Sequence, residues 1–430
     1  MMKYQSFART DVGTVRTVNE DAVFMEPRLG LFLVCDGCGG HRAGDVASRL
    51  AVETVHEAVL GEVEALKSYV KAPTRRKRIK TMEAVVSAVE AASAKVHAEA
   101  TSDPARAGMG TTIVLLQLLG DQAIVAHVGD SRGYLFRRGQ LFRLTEDHTL
   151  ANQYVRMGVL SAEKARQSRS AQMITRAIGQ HEHVRVDALH MELVSGDVFL
   201  LCTDGLTMHV SDPELAKACE KLDPEQLCRQ LVDTANRRGG QDNASVVIVR
   251  VQPGQRPEDD ETVRRTQALQ RVPLFRHLSF AELLRVLDIC QVETYGAGNR
   301  ILAEGSRGER IYVTVAGAVH VLKNHRKLAE LPPGSLFGEM CLIDDAPRSA
   351  DVIAPDGARV LSLDRNELLA LLRQERTLAV KVLWGLSFLL NSRLRATSEK
   401  LSATSAAQQA AIAQTRTKSD ELPDASRPFV

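Results

Sequence analysis

Short acidic and glycine-containing stretches stand beside apolar runs at several places in this sequence. In FLVCDGCGGH, residues 32–41, an apolar run ends at Asp36, and glycines follow it. Glycine lets the backbone turn tightly and approach a ligand closely. A carboxylate in such a place suits a metal ion or a phosphate group better than a hydrophobic core, where an unpaired charge is costly.

The same arrangement recurs along the first half of the chain. Asp130 follows AIVAHVG, Asp204 follows VFLLCT, and Asp242 precedes the apolar run ASVVIV, while RTVNED near the N-terminus contains Glu20 and Asp21. One acid at a strand end is usually a turn former, but that does not explain four similar sites. Clustered carboxylates repel unless cations neutralise them, and oxygen ligands select hard ions such as Mg²⁺ or Mn²⁺. The residues predict a multinuclear metal site at one edge of a sheet sandwich.

A site of this kind suits phosphoryl chemistry, because two metal ions can lower the pKa of a shared water and neutralise phosphate oxygens. The sequence contains no G-x-x-x-x-G-K-[ST] motif, which favours phosphoester hydrolysis over the use of a nucleoside triphosphate. Arg16 could hold the substrate phosphate through its planar guanidinium. An isolated arginine is more often a surface residue, but its place in RTVNED favours a role.

These acids lie in the first ~250 residues, where strand-like and helix-like patterns alternate. Apolar runs predict five strands: Leu31–Cys35, Ile113–Leu119, Ala123–Val128, Val198–Cys202 and Ser245–Val251. One helix has Ala47, Ala51 and Val55 on a single face, and a second helix follows around Val85 and Val89. Between them, KAPTRRKRIK at 71–80 is interpreted as a solvated basic loop, with a docking patch for an acidic partner as the alternative.

The composition changes after residue 252. Residues 253–270 are rich in proline and charge and are predicted to be a linker. Short strands broken by glycines follow, which predicts a small β-barrel or jelly roll within a domain at 271–395; ERIYVTVAGAVHVLKN, residues 309–324, is interpreted as a hairpin turning near Gly317. Residues 396–430 have few large apolar side chains and are predicted to be a disordered tail.

The motifs of residues 3–252 resemble the metal-dependent serine/threonine protein phosphatases, the PPM or type 2C family. RTVNED, VCDGCGGH, GMGTT, HVGDSR, LTEDHT, CTDGL and QDN follow in the family's order. Cys38 replaces a common methionine and is interpreted as a simple substitute rather than a redox-sensitive thiol. The resemblance implies an α+β fold in which 1–252 form a four-layer α-β-β-α sandwich, and it implies dependence on two or possibly three Mn²⁺ or Mg²⁺ ions.

The resemblance also implies a role for each matching residue. Asp36 and the Gly37 carbonyl would hold the metal pair, and Glu20 and Asp21 would support their hydration shell. Asp204 and Asp242 would ligate at the far end, and Asp130 would offer a third and weaker metal position. Arg16 would bind the substrate phosphate, and His41 would act as general acid. Phosphoserine and phosphothreonine proteins, with a protein kinase among the candidates, would be the substrates. The alternative is a signalling adaptor with a non-catalytic phosphatase fold.

The stretch LPPGSLFGEMCLIDDAPRSADV, residues 331–352, carries a second constellation. An acid and an arginine separated by a short turn, Glu339 and Arg348, could hold a ribose hydroxyl and a phosphate. Residues 272–392 resemble the cyclic nucleotide-binding domains, which implies a β-jelly roll with flanking helices and a regulatory ligand such as cAMP or cGMP. By this resemblance the binding residues are Gly338, Glu339, Cys341, Leu342, Arg348 and Ser349. Cys341 and Asp351 depart from the usual pattern, and a docking module without nucleotide is the alternative.

Composition limits the partners and the compartment. The 430 residues carry a net charge of +2, which argues against nucleic acid as a partner. No apolar run reaches the ~18 residues of a membrane helix, and seven scattered cysteines fit a reducing cytoplasm. Ala379, Val382, Leu386 and Leu389 recur with helical spacing. This face could form a homodimer or pack on its own barrel.

Overall fold

The structure is a computed structural model that describes residues 2–39, 43–166, 168, 170, 173–254 and 256–419. The first part of the chain contains strands β1 (Tyr4–Asp11), β2 (Asp21–Glu26), β3 (Leu31–Cys38), β4 (Gly110–Thr111), β5 (Ile113–Leu119), β6 (Gln122–Val128), β7 (Arg132–Arg137), β8 (Gln140–Arg143), β9 (Asp187–Glu192), β10 (Val198–Cys202) and β11 (Ala244–Val251). Its helices are α1 (Gly44–Gly61), α2 (Val63–Lys71), α3 (Arg75–Ser102), α4 (Leu150–Arg156), α5 (Ala162–Arg166), α6 (Asp204–Thr207), α7 (Asp212–Lys221) and α8 (Pro224–Arg237).

These elements form four layers, as the sequence predicts. One antiparallel sheet has the order β1-β11-β10-β7-β8, and the other has the order β2-β3-β5-β6-β9, with β4 beside β3. A core that includes Phe32, Val114 and Phe199 lies between the sheets. Helices α1 to α3 cover the outer face of the second sheet, and α7 and α8 cover the first. Because both faces of β5 are covered, all seven of its residues are buried.

The second part of the chain is a β-roll with helices around it. It contains α9 (Pro257–Arg271), α10 (Phe280–Asp288), β12 (Cys290–Tyr295), β13 (Asn299–Leu302), β14 (Arg310–Gly317), β15 (Val319–Lys323), β16 (Arg326–Leu331), β17 (Leu336–Phe337), β18 (Asp351–Ala354), β19 (Ala358–Asp364), α11 (Arg365–Gln374) and α12 (Arg376–Ser419). Two antiparallel sheets face each other, with the orders β12-β19-β14-β17 and β13-β18-β15-β16. A 3₁₀ turn at Glu339–Leu342 joins them, after Gly338 in the left-handed conformation.

The predicted linker is largely helical. Helix α9 begins at Pro257, has Glu258, Asp259 and Asp260 in its first turn, and buries Leu269. Proline at the first helical position and acids in the first turn are helix-start signals, because they suit the free N–H groups and the helix dipole. The interpretation of 253–270 as a linker took these charges for an absence of structure.

The predicted basic loop at 71–80 is also mostly helical. Helix α2 ends at Lys71, and α3 begins at Arg75 after the N-cap Thr74. Arg75 pairs with Glu367, and Arg78 pairs with Asp288 at 3.2 Å. The prediction of a loop is wrong for most of this segment, although most of its residues are exposed. Its two ion pairs join it to acids of the second domain of the same chain.

The predicted hairpin at Gly317 is wrong as well. Strand β14 pairs with β19 and β17, whereas β15 pairs with β16 and β18. The chain therefore crosses from one sheet to the other at Gly317. A Cβ atom there would lie 2.4 Å from the Gly357 carbonyl oxygen, and the φ angle is +73°.

Helix α12 replaces part of the predicted disordered tail. It continues to Ser419, so disorder is wrong for 396–419, while 420–430 lie outside the described residues. Alanine and glutamine give this segment good helix propensity despite its few large apolar side chains. Val382 and Leu389 on the early part of α12 are buried against the β-roll. This is the second of the two arrangements that their spacing allows.

The two domains pack against each other. Leu284 of α10 belongs to the core between the two sheets of the sandwich. The rings of Phe280 on α10 and Phe142 on β8 stack with centroids 3.9 Å apart. Thr262 of α9 donates a 2.6 Å hydrogen bond to Glu192 of β9. Among the described residues, no helix is both long and apolar enough to cross a membrane.

Candidate metal centre and ligand pocket

The predicted acids come together at one edge of the sandwich. Asp36 lies near the end of β3 and is the register partner of Asp21 at the start of β2. Asp204 begins α6 directly after β10, and Asp242 stands just before β11. Burial raises the pKa of Asp36 well above its usual range, and the charges of Asp21, Asp204 and Asp130 add to the effect. The acids therefore form one electrostatic cluster.

The burial of several carboxylates together makes this cluster a candidate cation site. Burial raises the pKa of Asp21 and of Asp130 to about 7, and it also raises the pKa of Asp204. Asp21 Oδ2 accepts a 2.9 Å hydrogen bond from Thr203, but Oδ1 is buried with no partner among the described residues. An unpaired buried oxygen within an anionic cluster fits a hard divalent ion.

Close backbone packing brings the Glu20 segment to the end of β3. The Gly37 N–H donates a 3.2 Å hydrogen bond to the Glu20 carbonyl oxygen. A Cβ atom at Gly37 would lie 2.2 Å from the Gly44 carbonyl oxygen, so a larger residue does not fit. Burial raises the pKa of Glu20, although the Gly44 N–H opposes this by bonding to its carboxylate. Glu20 is thus fixed beside the end of β3 and the start of α1.

Arg16 lies at the rim of the cluster. Its Nη2 atom is 3.0 Å from Asp242 Oδ2, and its side chain is 47% exposed. Asn243 holds the preceding loop, because its side chain bonds to the Val18 carbonyl oxygen and to the Glu20 N–H. Arg16 is therefore accessible to an anionic ligand. His41 lies outside the described residues.

Asp130 also belongs to the acidic cluster. It is 7% exposed. The next residue, Ser131, shares a 2.7 Å hydrogen bond with Thr112, and the Thr112 hydroxyl accepts a 3.0 Å bond from the Asp36 N–H. These two hydrogen bonds link the turn of HVGDSR to the end of β3.

The LTEDHT motif supplies residues whose roles the sequence analysis missed. Asp147 accepts a 2.8 Å hydrogen bond from Arg132, and His148 accepts a 3.1 Å bond from the Gly129 N–H. The motif was recognised for its resemblance, but nothing local to it indicates these partners.

His127, His148 and Asp187 have ligand-type atoms within 4.8 Å of one another. However, Arg176 Nη1 lies 3.0 Å from both His148 Nε2 and Asp187 Oδ1. A guanidinium already fills the position that a cation would take. This group is therefore a hydrogen-bonded ion-pair network rather than another candidate metal centre.

The second domain contains a cavity of about 400 Å³ beside the predicted phosphate-binding turn. Arg348 lies on its wall with Arg307 and Arg310. The Arg348 guanidinium donates to the carbonyl oxygens of Gly338 at 2.8 Å and Arg310 at 2.7 Å. A basic wall of this kind suits an anionic ligand.

The other predicted pocket residues occupy different environments. Glu339 is 1% exposed and pairs with Arg393 of α12. Cys341 is buried, Leu342 is half-buried and Ser349 is exposed. Asp351 bonds to the Glu304 N–H and pairs with Arg300, so its charge is compensated.

Comparisons with known proteins match both parts of the chain. The family model for Protein phosphatase 2C matches residues 19–244, more than half of the chain, and that for Cyclic nucleotide-binding domain matches 292–375. The chain belongs to the protein phosphatase 2C family and carries a C-terminal cyclic nucleotide-binding domain.

Named relatives align with the first part. The serine/threonine protein phosphatase PstP of Mycobacterium tuberculosis is 34% identical over 244 residues, which are 57% of this chain and 44% of that protein. The serine/threonine phosphatase stp of Listeria welshimeri is 36% identical over 246 residues, which are 56% of this chain and 93% of that protein. The chain thus spans less than half the length of the Mycobacterium relative.

Solved structures show the same likeness. The crystal structure of the Mycobacterium tuberculosis phosphatase PstP/Ppp has a TM-score of 0.52 and 32% identity, and covers 58% of this chain and 99% of that one. The catalytic domain of PstP in complex with two manganese ions has a TM-score of 0.50 and 32% identity, and covers 58% of this chain and 98% of that one.

The raised carboxyl pKa values predict an unusual pH dependence of stability for protein stripped of divalent ions. Asp21 and Asp130, with a pKa of about 7, bind protons more tightly folded than unfolded. Their contribution is present at low pH and is lost as the pH rises through 7. Between pH 6.5 and 8.0 we expect the free energy of unfolding to fall by on the order of 1 kcal/mol.

Urea denaturation in excess chelator at the two pH values measures this change. The window begins at pH 6.5 so that His127, whose pKa burial lowers to about 4, does not contribute strongly. Mn²⁺ should stabilise the protein more at pH 8.0 than at pH 6.5, and Asp21→Asn should flatten the chelator series. A metal-free protein that becomes more stable with rising pH across this window would contradict the prediction.

Proposed function

We propose that this protein is a Mg²⁺- or Mn²⁺-dependent phosphatase of phosphoserine and phosphothreonine in proteins. The observation that carries the proposal is the buried cluster of Asp21, Asp36, Asp130 and Asp204, whose carboxyl pKa values are all raised although Arg132 lies near enough to oppose the rise at two of them. The manganese pair in the PstP catalytic domain supports the same choice of ion.

The residues divide the work by position. Asp36, the Gly37 carbonyl, Asp204 and Asp242 would hold the cations, and Glu20 and Asp21 would orient their hydration shell. When bound, the cations supply Lewis-acid activation of water and neutralisation of phosphate oxygens. Arg16 would hold the phosphate through two N–H donors. His41 would donate the proton to the departing serine or threonine oxygen.

Arg16 would have to exchange partners when substrate arrives. Its guanidinium pairs with Asp242 at 3.0 Å, but a carboxylate that ligates a cation is a weaker acceptor for it. Filling the centre would therefore release Arg16 toward the substrate phosphate. The test of the whole proposal is release of phosphate from a phosphothreonine peptide with Mn²⁺, with excess chelator as the control. A well-folded, Mn²⁺-loaded protein without activity would favour the adaptor alternative.

Asp130 is proposed to serve a third and weaker cation. Asp130→Ala should spare the binding of two ions and lower turnover, because the acid lies at the side of the cluster and is linked to Asp36 through Ser131 and Thr112. Calorimetric titration with Mn²⁺ counts the bound ions, and turnover is measured across the same concentrations. Loss of all metal binding, or normal turnover at every Mn²⁺ concentration, would contradict this role.

We also propose that a cyclic nucleotide binds the second domain and regulates the first. The basic cavity at Arg348 supports binding. The junction of α11 and α12 supports communication, because Glu375 pairs with Arg185 at 3.4 Å and with Arg285 at 3.2 Å. In addition, Arg156 of α4 donates a 2.6 Å hydrogen bond to Thr377.

The other partners of the protein and its cellular location are also proposals. Phosphoproteins, a kinase among them, would be substrates. A second copy of the chain could use the outward face of α12, where Val380 and Trp384 are each 67% exposed. All seven cysteines are free, which supports a cytoplasmic location.

A further inference from the structure

His148 is a buried residue that contacts the turn carrying Asp130, although it is not among the predicted metal or substrate residues. It is 4% exposed. Its ring Nδ1 accepts a 3.1 Å hydrogen bond from the Gly129 N–H, and its own backbone N–H donates a 2.9 Å bond to the Gly129 carbonyl oxygen. One residue thus holds both backbone polar groups of the residue that precedes Asp130.

The backbone at Gly129 needs such support. Its φ angle is +107°, and a Cβ atom there would lie 2.6 Å from the Thr112 side chain. Only glycine suits this conformation, and glycine by itself restrains the backbone little. The hydrogen bonds from His148 supply the restraint that the sequence of the turn lacks.

The partners of His148 fix its tautomer. Because Nδ1 accepts from the Gly129 N–H, the proton of the neutral ring is on Nε2, which lies 3.1 Å from Asp187 Oδ2 and 3.0 Å from Arg176 Nη1. Asp187 also receives Arg176 at 3.0 Å and Arg185 at 3.6 Å. The imidazole of His127 stacks on the His148 ring with centroids 4.7 Å apart. A carboxylate that orients a histidine is a recurring support for functional sites.

The adjacent residue acts on the other side of Asp130. Asp147 binds Arg132 through two oxygens, at 3.2 Å and 2.8 Å. Two consecutive residues of the LTEDHT motif therefore hold the chain before and after Asp130. The side chains of Asp147 and His148 bond to this turn and to the residues that hold it rather than facing solvent.

We propose that His148, oriented by Asp187, is a positioning residue that sets Asp130 for the weak third cation, an inference that rests on the proposed phosphatase function. His148 touches neither substrate nor the reacting atoms. It acts through the Gly129 backbone, and its loss would let the turn relax while Asp36 and Asp204 keep the other two ions.

Two amide substitutions separate the two ends of the imidazole. In His148→Asn the side-chain oxygen takes the place of Nδ1 and can accept from the Gly129 N–H. In His148→Gln the longer amide reaches toward Asp187 and leaves that N–H without its acceptor. The matched control is His190→Gln, because His190 is also buried and bonded to a carboxylate, Asp288 at 2.9 Å, but in the domain interface.

The experiment titrates full-length protein with Mn²⁺ by calorimetry and follows backbone amide exchange of the peptide that covers 127–132. His148→Gln should weaken the third ion by roughly 3- to 10-fold, the effect of one buried hydrogen bond, with the first two ions unchanged. Exchange at the turn should rise, and the Mn²⁺ concentration for half-maximal turnover should rise with it. His148→Asn should restore both toward the wild type, and His190→Gln should change neither.

Three outcomes would overturn the inference. The first is a glutamine variant that binds the third ion as the wild type does. The second is an asparagine variant that is impaired as much as the glutamine variant, because the Gly129 contact would then be irrelevant. The third is a wild type without phosphatase activity, which also overturns the proposed function. If His148→Gln does not fold, Asp187→Ala takes its place, since it removes the acceptor that orients the ring.

Discussion

Replacing Asp36 or Asp204 by asparagine is expected to lower turnover by on the order of 10³-fold or more, about 4 kcal/mol of barrier. The amide keeps the size of the side chain but holds a divalent ion poorly. Asp36 lies at the centre of the cluster, where four other carboxylates add to its raised pKa. Phosphate release from a phosphothreonine peptide, measured across Mn²⁺ concentrations, gives the loss.

Stability separates loss of function from loss of fold in these variants. Because ionised Asp36 is disfavoured in the metal-free protein, the neutral asparagine should make the chelated variant at least as stable as the chelated wild type at pH 8. Stabilisation by Mn²⁺ should be largely lost. Asp233→Asn is the surface control, since Asp233 is 41% exposed and pairs with Arg9. Full activity of either variant, or of wild type in excess chelator, would end the metal mechanism.

The acids that meet at one edge of the sandwich could be recognised in the sequence because their signal is local. Asp36 and Asp204 each follow a continuously apolar run, and the residues of these runs in β3 and β10 are buried in the structure. The end of such an apolar run is visible in the sequence itself. A carboxylate at that end can therefore be recognised without knowing which residues it contacts in the fold. The roles of the individual acids came from family resemblance and stay predictions.

The supports of the centre could not be predicted because they depend on contacts between distant segments. His148 meets Asp187 across 39 positions, and Arg393 meets Glu339 across 54. Nothing near Arg393 in the sequence distinguishes it from a solvated arginine of a long helix. Such pairs are determined by how helices and sheets pack, which single-sequence patterns do not contain.

Charged segments were the main source of error in the fold. The acids after Pro257 begin α9 rather than extend a linker, and the arginines after Thr74 begin α3. In both places charge was taken as a sign of solvation, whereas the structure uses it in pairs between domains. Arg78 with Asp288 and Arg265 with Glu192 join the two parts of the chain.

The expected arrangement of the two domains changes with that correction. Residues 253–270 were predicted to be a linker between separate domains, but α10 contributes Leu284 to the core between the sandwich sheets. Truncation at residue 252 would expose that core, so a fragment is a poor probe of regulation. Substitutions in the full chain test the coupling without this loss.

Binding of a cyclic nucleotide is expected to change phosphatase turnover by roughly 5- to 150-fold, a coupling of about 1–3 kcal/mol, in a direction that the structure does not determine. A ligand shifts the equilibrium between two arrangements only if it favours one of them. The Arg348 guanidinium bonds to two carbonyl oxygens beside the cavity. A bound phosphate would compete for these donors and rearrange the turn that carries Glu339, which pairs with Arg393 of α12.

Arg348→Ala should abolish the response and leave basal turnover near the wild-type value, because the cyclic phosphate loses its charged partner. Arg300→Ala is the matched control, since Arg300 is 62% exposed on the same β-roll and pairs with Asp351. Glu375→Gln should keep nucleotide binding and weaken the response, because Glu375 joins α11 and α12 to Arg185 of the first domain. Calorimetry with cAMP and with cGMP gives binding, and phosphopeptide assays with each nucleotide give the response.

Thermodynamic linkage supplies the decisive check on this coupling. If the nucleotide changes the affinity of the catalytic site for Mn²⁺ or for a phosphopeptide, then either of these must change nucleotide affinity by the same factor. Calorimetric titration of nucleotide with and without saturating Mn²⁺ measures the reverse effect independently of turnover. A full chain that binds nucleotide with unchanged affinity in both conditions, and whose turnover equals that of Arg348→Ala at every nucleotide concentration, would show that the second domain does not regulate catalysis. Its docked helices would then serve to complete the sandwich core rather than to transmit a signal.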